Sequence, residues 1–168
     1  MEKNLKIISI AIWIAIITSA MSFYGFVYEE IDFIPNFFNS HPIESKLHWN
    51  SFHSITNPSY YHILPSICCM FSLAIIWFFR RHLESQQISK LKAASIFVVI
   101  VNILTGIAVT LINDKLYFEK TVEPTTLKNL AMVWATLNFI RITLTAIHTA
   151  ILMKMFSIKL IIKQNSIA

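Results

Sequence analysis

The sequence predicts an all-α fold, an integral membrane four-helix bundle with one long extracytoplasmic loop. Three observations carry that prediction. The chain has 168 residues, of which 55% are hydrophobic and only 14% charged, whereas a soluble domain averages about 25% charged residues. Four stretches stay apolar over the ~20 residues that a helix needs to cross a bilayer. None of them alternates strictly between apolar and polar residues, so helices are favoured over a barrel. The length fits a single domain, 1–168. With only 2 glycines there is no GxGxxG and no Walker loop, which excludes a Gly-rich phosphate cradle.

The first span is placed at 7–27, a stretch without Asp, Glu, Lys or Arg. Lys3, Lys6 and the small residues Thr18-Ser19-Ala20 imitate a signal peptide, but the apolar run continues to Val27, longer than such a segment needs. The connection 28–59 is the outer loop. It carries Pro35, Pro42, Pro58 and several aromatics, and a loop this long is uncommon unless functional or folded on itself. Trp49 and Phe52 are expected to cap the bundle mouth at headgroup level. The second span, 60–79, holds His62 and Pro65 near its start. A short polar loop, 80–92, leads to the third span at 93–113. The fourth, 129–153, contains one ionised group, Arg141. The tail 154–168, with Lys154, Lys159 and Lys163, is expected to lie as a basic amphipathic extension on the cytoplasmic surface.

Orientation follows from Lys and Arg in the flanks. Nine lie on the side of the termini and the 80–92 loop, and four, Lys46, Lys115, Lys120 and Lys128, on the other. Both termini are therefore expected in the cytoplasm, with the bacterial inner membrane as the location. The +5 net charge is a basic rim beside anionic lipid, so the expected partner is the bilayer and not nucleic acid. Cys68 and Cys69 are adjacent, with neither redox nor metal spacing, and are expected to fill space in the second span.

Polar groups inside the membrane are costly and therefore informative. On the fourth span Trp134, Asn138, Arg141, Thr145 and His148 fall within an arc of about 80°. Arg141 near mid-span costs about 2.5–3.5 kcal/mol on insertion scales and must face the bundle interior. On the first span Ser19, Ser22, Phe26 and Glu29 share a face, which makes Glu29 the electrostatic partner of Arg141. On the third, Asn102, Gly106, Val109 and Asn113 recur at helical spacing, and Gly106 is expected to let a neighbour approach closely. Tyr61 and His62 sit at the outer end of the second span. Glu29, Asn113, Asn138 and Arg141 are therefore expected to converge. His41, His48, His53 and His62 show no metal-ligand spacing, so no metal site is assigned.

Three stretches carry a family resemblance. They are Gly25-Phe26-Val27-Tyr28-Glu29 followed by Pro35-Asn36, Asn57-Pro58-Ser59-Tyr60-Tyr61 followed by Pro65, and Trp134 through Arg141 with its Trp, Asn and Arg. Together they resemble the anthrone-oxygenase-like family of small four-span membrane proteins, in span order over nearly the whole chain. The resemblance implies oxidation of an aromatic substrate by dioxygen without a classical cofactor. It carries over Glu29, Trp134, Asn138 and Arg141; the stretch 41–53 matches nothing in that pattern.

Three functions follow as expectations. The first is a cofactor-poor oxidoreductase acting on a small aromatic or quinone-like molecule. In it Arg141 and Asn138 stabilise a developing oxyanion, and Glu29 or His62 is the base. Trp134 and Tyr61 stack on the substrate beside Asn113. The second is a non-catalytic carrier of an apolar ligand. The third is a structural accessory subunit. The first two require a cavity of about 300 Å³ or more bordered by Arg141; the third requires Arg141 to be packed on all sides.

Overall fold

The computed structural model describes residues 2–32, 34–53, 55, 59–119 and 121–165, with side-chain surroundings from residue 3 to residue 156. Among the described residues the regular structure is entirely helical. It comprises α1 (Glu2–Asp32), α2 (Ile34–Phe37), α3 (Pro42–Phe52), α4 (Tyr60–Phe78), a 3-10 turn (Arg80–His82), α5 (Ser85–Ile107), a π-helical segment (Ala108–Phe118) and α6 (Pro124–Asn165). Four stretches, Lys3–Phe37, Tyr60–Phe78, Ser85–Phe118 and Pro124–Phe156, are long and apolar enough to cross a membrane.

Local chemistry explains the boundaries. Pro42 opens α3 and Pro124 opens α6, where the missing N–H costs nothing. The buried Gln87 accepts the Glu84 N–H at 3.1 Å and so caps the start of α5. Pro65 lies inside α4 without ending it. The helices run beyond the apolar windows because their polar ends continue past the hydrophobic stretch. The outer connection differs from the expected loop: α1 runs on to Asp32, and the rest contains α2 and α3. Asn57 and Pro58 of the second family-like stretch lie outside the described residues, as do the side chains of the 157–168 tail, although α6 continues to Asn165.

The long helices form a ring in which α1 packs on α4 and α6, α5 packs on α6, and α4 touches α5 least. At the end where the termini lie, Ile8, Ile12, Leu73, Ile76, Leu91 and Leu152 form an apolar core. At the other end, here called the cap end, Phe37, Leu116, Tyr117, Leu127 and Trp134 form a second core beneath α2 and α3. Large apolar side chains also point outward, among them Leu64, Phe71 and Phe78 on α4 and Ile96, Val99 and Ile103 on α5. A water-soluble monomer rarely exposes such a continuous apolar belt.

In lipid, helix association depends on close packing more than on hydrophobicity, and small residues allow that packing. Ala11, Ala15 and Ala94 are buried in the core at the termini end. Gly25 is the tightest point: a Cβ there would stand 3.0 Å from the backbone carbon and oxygen of Tyr61. Gly106, expected to serve that purpose, faces outward, and a Cβ at that position would have nothing within 4 Å. Cys69 is buried, with its thiol 3.6 Å from the Ala15 carbonyl, whereas Cys68 points outward.

Candidate functional site

The two polar faces expected on α1 and α6 are both turned inward. Ser19, Ser22, Phe26 and Glu29 are buried on α1, and Trp134, Asn138, Arg141, Thr145 and His148 on α6. They meet in a charge cluster at the cap-end half of the bundle. Glu29, only 5% exposed, receives His62 Nε2–H on Oε1 at 3.0 Å and faces Arg141 Nη2 across 3.6 Å with Oε2. Arg141 Nη2 donates to Asn138 Oδ1 at 2.8 Å. Asn138 Nδ2 in turn donates to the Phe26 carbonyl at 2.8 Å and to Glu30 Oε2 at 2.9 Å. The guanidinium also lies 4.6 Å from the Phe26 ring centroid and 5.3 Å from that of Trp134, so aromatic faces cover what carboxylates do not.

Deeper in the bundle the polar seam continues. His148 Nδ1 lies 2.8 Å from Ser19 Oγ, which also contacts Thr149 Oγ1 at 2.7 Å. Ser22 Oγ donates to the His62 carbonyl at 3.2 Å. Ser66 and Asn102 tie α4 to α5 at 3.0 Å. Beyond this point the apolar core takes over.

Beside the charge cluster is a cavity of about 380 Å³. Glu29 and Trp134 line it from α1 and α6, Tyr60 and Ile63 from α4, and Trp49 from α3. Its remaining wall is the π-helical segment, through Val109, Asn113, Asp114, Tyr117 and Phe118. In an α-helix these five would spread over about 180°. The i→i+5 winding brings residues four and five apart onto one side, so one segment supplies a whole wall. Asn113 Oδ1 accepts Trp134 Nε1–H at 3.0 Å and couples that wall to α6.

The segment's C-terminal carbonyls lack partners of their own, and α3 supplies them. Lys46 Nζ donates to the carbonyls of Lys115, at 2.9 Å, and Glu119. Asn50 Nδ2 donates to the Tyr117 carbonyl at 2.6 Å. A cation suits a helix C-terminus. Burial nonetheless pulls the Lys46 ammonium below its ordinary pKa, with Glu119 and Asp114 acting in the opposite direction. Trp49 stacks on Tyr117 with ring centroids 4.4 Å apart. It also borders a second cavity of about 520 Å³ beneath α2 and α3, lined by Asp32, Phe37, Glu44, His48, Phe52 and His53 among others.

The structure brings some of the residues singled out in the sequence together and leaves others apart. His62, Glu29, Arg141 and Asn138 are linked in that order, each touching the next, and Asn113 joins them through Trp134. Arg141 and Asn138 do not line the cavity, because their donors are turned to Glu29, Glu30 and Phe26. Tyr61 does not line it either. It is 61% exposed and packs edge-on against Tyr28, while its neighbour Tyr60 borders the cavity. Gly25 explains this: the backbone approach that buries His62 against α1 leaves Tyr61 outside. Asp114 is not legible as a site residue in the sequence, since α winding would turn it about 100° away from Asn113. No family model, curated protein or solved structure matches the chain.

Proposed function

We propose that the chain is an integral membrane protein, with its termini and the 80–92 loop in the cytoplasm. In this reading the cap-end cavity binds a small aromatic molecule that donates a hydrogen bond or proton to Glu29. One observation carries the reading: Glu29 belongs both to the buried charge cluster and to the cavity wall. His62 fixes one carboxylate oxygen, while Arg141 balances the charge from behind at 3.6 Å. Glu29 Oε2 makes no hydrogen bond among the described residues. An aromatic-walled cavity of about 380 Å³ falls in the size range of small-molecule sites, ~300–1,000 Å³. The bilayer is the source of an apolar ligand.

A cofactor-poor oxygenase or oxidoreductase acting on a quinone-like substrate is the second reading. The Glu29–His62 pair favours it, as a carboxylate and imidazole at 3.0 Å are suited to general-base work, and so does the resemblance to the anthrone-oxygenase-like family. The orientation of Arg141 and Asn138 favours binding without turnover, since neither offers the cavity a donor for a developing oxyanion. A purely structural role for the seam accounts for Arg141 but not for the cavity.

Titration calorimetry of the detergent-solubilised protein with naphthol tests the binding reading. Trp134→Leu is expected to weaken binding about tenfold, equivalent to ~1.4 kcal/mol, and Tyr61→Ala to leave it unchanged. Equal affinity in wild type and Trp134→Leu overturns the cavity as the site. Dioxygen uptake with an anthrone as substrate, abolished in Glu29→Gln, would establish the oxygenase reading instead.

A further inference from the structure

We infer that the cap-end cavity selects lipophilic organic cations, such as aromatic amines in their protonated form, over neutral or anionic molecules of the same shape. This rests on the reading of the cavity as a ligand site and specifies its substrate class.

The first argument is the charge of the walls. Glu29 on α1 and Asp114 on the π-helical segment both line the cavity, and among the described residues no Lys or Arg does. Glu29 is 5% exposed, and its Oε2 has no hydrogen bond among those residues. Both nearby cations are already engaged, Arg141 with Glu29 itself, and neither lines the cavity. Arg141 is turned to Glu29 and Asn138 between the rings of Phe26 and Trp134. Lys46 is spent on the carbonyls of Lys115 and Glu119. Asn138 brings a further carboxylate, Glu30, into the cluster. Glu29 is balanced by Arg141, so Asp114 is the lining carboxylate that an anion meets as like charge and that offers an ammonium N–H an acceptor.

The second argument is the aromatic surround. Trp49, Tyr60, Tyr117 and Trp134 all border the cavity, and aromatic faces attract cations while tolerating neutral rings. The adjoining cavity repeats the composition. Asp32 and Glu44 lie there with Phe37, Trp49 and Phe52, again without Lys or Arg among the described residues, and its basic side chains are the imidazoles of His48 and His53. Trp49 is the partition between the two. A cation approaching from the cap end therefore meets acid and aromatic groups in both spaces.

The test compares naphthylmethylammonium, naphthylmethanol and naphthoate, which share one ring system and differ in charge. Each is titrated calorimetrically into the full chain in a neutral maltoside detergent, with protein-free micelles subtracted. The ammonium is expected to bind about tenfold or more tighter than the alcohol, with naphthoate weakest. Asp114→Asn, at an exposed position, is expected to narrow the preference about threefold, and Glu29→Gln to narrow it further. Should Glu29→Gln fail to fold, Asp114→Asn carries the comparison. Equal or tighter binding of the alcohol or naphthoate overturns the cation preference but leaves the cavity as a ligand site. A preference unchanged in Asp114→Asn overturns it as well. Failure of all three probes to bind overturns both readings.

Discussion

At the end where the termini lie, the long helices meet through Ile8, Ile12, Leu73, Ile76, Leu91 and Leu152. At the cap end the same helices meet through Glu29, His62, Asn138 and Arg141, with a cavity beside them. The termini-end core is built, among the described residues, from apolar side chains. The cap end holds buried charges that are stable only as a set, and an irregular π-helical wall that leaves space. The difference teaches where each kind of substitution acts: at one end through packing volume, at the other through charge compensation.

The sharpest way to break the comparison is Arg141→Met. It leaves Glu29 buried without its countercharge, and an orphaned buried charge costs about 3–5 kcal/mol. A large drop in melting temperature in detergent is expected, partly restored by adding Glu29→Gln, and a double-mutant cycle measures the coupling. A smaller effect is expected from Ile12→Ala, about 2–3 kcal/mol for the cavity it creates, with ligand affinity at the cap end unchanged. Loss of binding in that variant would show that the two ends are not independent.

Gly25→Ala links the ends, because it forces α1 from the Tyr61 backbone. It is expected to cost about 1–2 kcal/mol through overpacking and to weaken ligand binding by displacing His62. Lys46→Met is expected to loosen α3 at a cost of about 1–2 kcal/mol, the range for a charged hydrogen bond, visible as faster proteolysis near α3. The smallest effect is a gain. Gly106→Ala meets no neighbour and is expected to add up to about 1 kcal/mol of helix propensity, read as a higher melting temperature with unchanged binding.

The helices long and apolar enough to cross a membrane, and their buried faces, are legible in the sequence because lipid penalises polar groups so heavily that a polar stripe is expected to point inward. Hence Ser19, Ser22 and Glu29 on α1, and Asn138, Arg141 and His148 on α6, follow from spacing alone. The third polar face does not follow in the same way. Asn102 and Asn113 are turned partly inward, but Gly106 and Val109 are exposed; from Ala108 onward the winding changes and α periodicity no longer applies. The helix α3 is hidden because its apolar and polar residues form no clear stripe, and Pro42 with Glu44 is its only signal. Tyr61 takes the place of Tyr60 in the expected site because sequence position cannot tell which of two adjacent, largely exposed tyrosines borders the cavity.

The apolar core at the termini end also has an electrical consequence. A charge carried across a whole bilayer exchanges about 2.3 kcal/mol with each ~100 mV of membrane potential. If the cap-end cavity takes a cation as proposed, that cation would descend only partway through the field, since below it lies the apolar core of Ile12, Leu73 and Leu91. Its occupancy would then follow its concentration on the cap-end face and respond weakly to voltage.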